Sequence, residues 1–187
     1  MNTAVSALTF LLCLSACTPI TEGGPGTASA SGAKPLIGRC HMGGCSWFRI
    51  IGQRVLREEG GERLVRANIA EGGSDHGNSG YPENPRNVDI GWQPPTDDYY
   101  FLCSSSRPLA IFRKENGGTG YDGLKLDFVN GPFGATEAVS SQYTAVCHPG
   151  EDMNAEGFAT RHGYGPADIE NPAVDLATPE AVFDLRR

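Results

Sequence analysis

The sequence has no apolar run long enough to cross a bilayer as a helix, which takes about 20 residues. Its longest such stretch, Ala4 to Ala16, is short, and none of the first sixteen residues is charged. There is no G-x-S-x-G elbow, no H-E-x-x-H and no P-loop, so the usual motifs of serine hydrolases, zinc peptidases and nucleotide-binding enzymes are missing. No C-x2-C pair is present to suggest a zinc knuckle, and no internal repeat. Positive charge is scarce overall. The net charge of −7 argues against nucleic acid as a partner.

What is present begins with an export signal. AVSALTFLLCLSA, from Ala4 to Ala16, has the length of a signal-peptide core. Ordinary secretory cleavage after Ala16 would put Leu14 where a small residue belongs. The four residues Leu14-Ser15-Ala16-Cys17 instead resemble the lipobox of bacterial lipoproteins. That resemblance implies a diacylglycerol on Cys17, which becomes the mature amino terminus and enters the bilayer through its acyl chains. Thr18, rather than Asp, follows the lipidated position, which implies the outer membrane, facing the periplasm, in a Gram-negative cell. The segment from Thr18 to Pro35 is almost all Gly, Ser, Ala, Thr and Pro. It cannot bury enough surface to fold and reads as a tether spanning on the order of 20–25 Å. We assign 1–16 to the signal, 17–38 to the lipidated cysteine and tether, and 39–187 to a single globular domain.

The domain carries its charge unevenly. Lys34 to Arg66 holds seven basic residues against Glu58, Glu59 and Glu62, and the rest is acidic. A basic hairpin on an acidic body could suit an anionic surface, but a solvated Arg-rich face is the plainer explanation. Four cysteines remain after Cys13 leaves with the signal and Cys17 takes lipid: Cys40, Cys45, Cys103 and Cys147. In an oxidising compartment an even number reads as two disulfides. Three pairings are possible. The flexible His41-Met42-Gly43-Gly44 turn favours Cys40–Cys45, leaving Cys103–Cys147 to tie distant segments together.

The pattern predicts an α+β or mainly β fold, an antiparallel sheet of short strands with one docked helix and an irregular C-terminal tail over 150–187. Cys45 to Ile51 and Arg54 to Arg57 read as strand, Glu58 to Glu62 as a hairpin turn, and Leu64 to Ala70 as the returning strand. Glu71 to Asn87 reads as a long polar loop. Asn87–Trp92, Tyr99–Ser104, Leu109–Lys114 and Leu124–Val129 read as further strands. Val139, Tyr143, Val146 and Cys147 share one face of a helix over Thr136–Cys147, with Thr136 as its cap. Thr178-Pro179-Glu180 has the chemistry of a short helix start.

Three sets of residues could carry function. Cys40, His41, Cys45, Cys103, Cys147 and His148 include zinc-ligand types, but their spacing and export favour disulfides, so no metal and no cofactor are expected. Asp75 and His76, with Ser74 and Ser79 nearby, and His162 after Glu151 and Asp152, could serve a hydrolase; polar turn residues are the plainer explanation. The third set is the small ring, Cys40 to Cys45, projecting His41 and Met42. It is similar to the cystine-closed, His-bearing loop of some periplasmic lysozyme inhibitors, with no wider match. Trp47 and Arg49 follow on one strand face and are the residue types that most often dominate interfaces, although a Trp47 that points into the core is the favoured reading. The expectation is a membrane-anchored envelope module that binds a protein or glycan without catalysis. The alternatives are an envelope hydrolase and a structural component of an envelope complex.

Acylation gives the first prediction. Cys17→Ser should leave an uncut or soluble protein, detected by membrane fractionation and intact mass. Unchanged membrane retention, with no lipid mass on the wild type, would contradict it.

Overall fold

The computed structural model describes residues 33–187 apart from 78, 83–84, 115–117, 133, 135, 169–170 and 186–187. The signal segment and Cys17 lie outside the described residues. The strands are β1 (Leu36–His41), β2 (Gly44–Glu59), β3 (Glu62–Asp75), β4 (Gly91–Trp92), β5 (Thr96–Cys103), β6 (Leu109–Arg113), β7 (Tyr121–Lys125) and β8 (Ala173–Leu176). The helices are α1 (Thr136–Cys147) and α2 (Phe158–His162). All pairing is antiparallel, in the order β1-β2-β3-β5-β6-β7-β8, with β4 set against the end of β3. No helix among the described residues is long and apolar enough to cross a membrane.

The long β2–β3 hairpin starts from two glycines. Gly60 and Gly61 have φ of 59° and 83°, the left-handed pair that a two-residue hairpin turn needs. Pairing then runs from Glu59↔Glu62 to Gly44↔Asp75, with the register shifting at two bulges, between Val55 and Arg57 and between Ile50 and Gly52. Both faces of the adjoining sheet are covered, which explains the near-continuous apolar runs of β5 and β6. Phe101, Cys103 and Ala110 face one side with Phe48, Val65, Ala67 and Ile69, under α1 and α2. Tyr100, Leu102, Leu109 and Ile111 face the other, where Leu176 and Val182 of the C-terminal segment cover them.

Both disulfides form as the spacing favours: Cys40–Cys45 and Cys103–Cys147. The second joins the end of β5 to the last residue of α1. A second clamp sits nearby. Arg107 donates Nε and Nη2 to the two oxygens of Glu62, at 2.8 and 2.6 Å, and Nη1 to the Val182 carbonyl at 2.8 Å. Ser104 donates its hydroxyl to Glu62 Oε1, and that hydroxyl oxygen accepts the Arg107 backbone N–H. Glu62 is 6% exposed, so this network joins the β2–β3 turn, the β5–β6 turn and the C-terminal segment in a desolvated place.

Several expected boundaries move. β1 starts at Leu36, inside the segment assigned to the tether, because its backbone pairs with β2. Glu71 to Asp75 is strand, not loop. Its glycines hide it from a side-chain pattern, yet Gly72 is needed: a Cβ there would stand 2.7 Å from Ile90 Cγ2 and 3.0 Å from Trp92. The strand expected over Asn87–Trp92 shrinks to β4, preceded by a 3-10 turn at Pro85–Asn87. The strand expected over Leu124–Val129 is shifted earlier, to β7. Asp127 instead ties the following turn, accepting the N–H groups of Val129 and Asn130 at 2.9 Å each. The tail is less irregular than expected, since it carries α2 and β8. Thr136 is the first residue of α1 rather than its cap. Thr178 precedes a 3-10 helix, Pro179–Asp184, without a side-chain cap bond.

Removing Arg107 would take the bidentate charged partner away from the buried Glu62 carboxylate. Arg107→Ala should therefore cost about 3 kcal/mol in urea unfolding. A loss under about 1 kcal/mol would show that the clamp is peripheral.

Candidate functional site

The Cys40–Cys45 ring is built at the turn of the β1–β2 hairpin, beside the open end of the β2–β3 hairpin. Cys40 and Cys45 are directly paired, with His41 opposite Gly44. The apex is Met42 and Gly43, both with positive φ, 49° and 81°. For methionine this backbone region carries a steric cost of roughly 1–2 kcal/mol. Met42 is 88% exposed, and His41 is exposed as well. Two contacts brace the ring from outside: the His76 N–H donates to the Gly43 carbonyl at 2.6 Å, and the Gly43 N–H donates to the Tyr81 hydroxyl at 3.3 Å.

Register divides the neighbouring side chains between two faces. Cys45 is opposite Ser74 and Trp47 opposite Gly72, so Cys45, Trp47 and Ser74 share one face. Trp47 is 1% exposed and lies in the core, which settles its orientation against the role of a surface anchor. Its indole N–H donates to Ser74 Oγ at 2.7 Å. Ser74 Oγ is also 2.7 Å from His76 Nε2. Since the indole can only donate, the serine proton is free to go to His76. Asp75, named with His76 from the sequence, spends its Oδ1 on the Gly77 N–H. Ser79 donates to the His76 carbonyl. Arg49 is half-buried, its guanidinium 4.4 Å from the centre of the Trp92 ring. Stacking on an aromatic face suits a guanidinium, and it gives Arg49 a structural task in place of the expected free surface.

The opposite face, beneath α1, holds a groove of about 550 Å³ lined by Arg39, His41, Ser46, Glu71, Gly73 and Gln142. Arg39 pairs with Glu137 of α1 at 3.4 Å. Gln142 donates Nε2 to Glu71 at 2.7 Å. Its Oε1 is buried and has no hydrogen-bond partner among the described residues, which marks a place where a donor would be stabilised. Burial and the hydrogen bond to Glu71 push the Tyr99 hydroxyl well above its ordinary value, so it acts there as a neutral donor.

The expected residues therefore separate into groups. His41, Met42 and His76 gather at the ring, and Ser74 supports it from below. His162 belongs to another cluster, with Glu151 at 2.9 Å and the His148 ring centre 3.9 Å from its own. The cysteine-based zinc set is consumed by the two disulfides. Sequence reading missed the groove, because Glu71 and Gly73 come from a segment read as loop and Gln142 stands outside the helix face that the apolar pattern picks out.

Compared with known proteins, the chain matches no family model, no curated sequence and no solved structure. Function therefore has to be argued from the site alone.

Trp47 yields a stability prediction. Trp47→Ala should cost about 3–5 kcal/mol in chemical denaturation, with the loss of the Ser74 contact included. A change below about 1 kcal/mol would contradict its placement in the core.

Proposed function

We propose that this is a lipid-anchored protein of the bacterial envelope that acts by binding, presenting the Cys40–Cys45 ring to a protein partner. The observation that carries the reading is Met42: a large apolar side chain, 88% exposed, held with a left-handed backbone at the apex of a cross-linked ring. Exposed apolar surface and a strained backbone both cost free energy, and such costs concentrate where function needs them. The ring is closed by a disulfide and braced by His76 and Tyr81, so little ordering entropy would be lost on docking. Methionine is unbranched and polarizable, and adapts to an apolar recess. His41, beside it, lines the groove, which would extend the contact to polar groups. An inhibitor-like insertion into a partner's cleft fits this shape. The lipid anchor would place the ring within tether reach of envelope proteins.

A second reading rests on the Ser74–His76 pair, whose proton polarity suits a nucleophile and its base. It asks for an orienting carboxylate, and Asp75 is turned to the Gly77 backbone instead. An ester hydrolase activity lost in Ser74→Ala and retained in Met42→Glu would favour it over binding.

The binding reading is tested by placing a photo-crosslinking residue at position 42 in cells. A discrete cross-linked protein is expected, absent when the same residue replaces the exposed Val129 and lost when His41 is also changed to Glu. Identical products from positions 42 and 129, or none from either, would overturn it.

A further inference from the structure

We propose that His148, Glu151 and His162 form a binding site for one divalent transition-metal ion of the zinc class. Their ligand atoms already lie within 4.8 Å of one another. Bonds of about 2 Å would bring tetrahedral ligands to about 3.3 Å apart, a change that side-chain rotation can supply. Two imidazoles and one carboxylate suit zinc, nickel or cobalt, whereas calcium and magnesium favour oxygen ligands throughout. Three protein ligands would leave a fourth position for water or an external group.

The framework holds these residues from separate directions. His148 directly follows Cys147, which the disulfide fixes to β5. The Glu151 N–H donates to the His148 carbonyl at 3.1 Å, closing the turn that returns Glu151 to the cluster. His162 is the last residue of α2, and the Gly163 that follows is in the left-handed conformation with its N–H on the helix carbonyls. Phe158 packs under both imidazoles, with ring centres 5.5 Å from His148 and 4.8 Å from His162.

A buried hydroxyl relay orients His148. Tyr143 donates its hydroxyl to the Ser104 carbonyl, and Tyr164 donates to the Tyr143 hydroxyl at 3.3 Å. The Tyr164 oxygen, 2.6 Å from His148 Nε2, is then left as the acceptor. With the Tyr164 oxygen accepting, Nε2 would carry the imidazole proton and Nδ1 would keep the lone pair a metal requires. A ligating histidine whose second nitrogen donates to a fixed oxygen is the usual outer-shell arrangement of metal sites. His162 would bind through the nitrogen now bonded to Glu151, its proton moving to the other ring nitrogen. Arg161 competes for the carboxylate, with Nη2 3.6 Å from Glu151 Oε2, but it also donates Nη1 to the Glu156 carbonyl at 2.6 Å, outside the ligand set.

The test titrates the chelator-treated full chain, disulfides intact, with zinc chloride by calorimetry and with cobalt chloride by visible absorption. One saturable equivalent is expected, with cobalt giving the spectrum of a nitrogen- and oxygen-ligated site. Glu151→Gln and His162→Gln should each weaken zinc binding at least tenfold, and Tyr164→Phe by about tenfold, as for other outer-shell partners. His76→Gln should leave it unchanged. Circular dichroism of each variant confirms that the fold persists; Glu151 is exposed and its replacement leaves the core intact. No saturable binding, or equal affinity in wild type, Glu151→Gln and His162→Gln, would overturn the site.

Discussion

The pairing of β2 with β3 is the constraint on which the rest depends. Two glycines in left-handed conformation set the turn, and two bulges, between Val55 and Arg57 and between Ile50 and Gly52, adjust the register on the way to Gly44↔Asp75. A one-residue slip would exchange the two faces. Trp47 would leave Ser74, Glu71 would leave Gln142, and Phe48 would leave the α1 core. The turn and the two bulges together therefore fix contacts at the far end of the hairpin, where the ring is braced by His76.

That hairpin could not stand alone, since its distal end exposes Val55 and several charged side chains. Stability comes from covering both faces of the sheet near β5 and β6. The Cys103–Cys147 bond holds α1 to one face. On the other, Arg107 reaches the Val182 carbonyl and binds the 3-10 helix of the tail to Glu62 at the hairpin turn. The tail is thus part of the domain. β8 completes the sheet beside β7, and Leu176 and Val182 close the second core.

Local signals made some of this legible in the sequence. The Gly60-Gly61 turn and the helical face of Val139, Tyr143 and Val146 are set by neighbours in the chain, and the short Cys40–Cys45 spacing favours, among three possible pairings, the one observed. The two-sided burial of β3 was less visible. Leu64 and Val65 are both buried, so a simple inside–outside alternation fails there. Glu71 to Asp75 was hidden because its pairing is made by backbone groups and Gly72 makes room for the close approach of Ile90 and Trp92. Arg49 and Trp92 meet only through β3–β4 pairing, and that pairing covers just two residue pairs. The convergence of His148, Glu151 and His162 depends on how the turn after α1 returns to α2. Histidine and glutamate at such irregular spacing carry no signature of it.

The account rests on a ring that is rigid before it meets anything. Backbone nitrogen-15 relaxation of the oxidised domain measures this directly at Met42 and Gly43. Order parameters near about 0.85, equal to those of β2, are predicted for both amides. Values below about 0.6 would show that the disulfide, Tyr81 and His76 fail to hold the apex, and would contradict the proposal that it is a preorganised docking element.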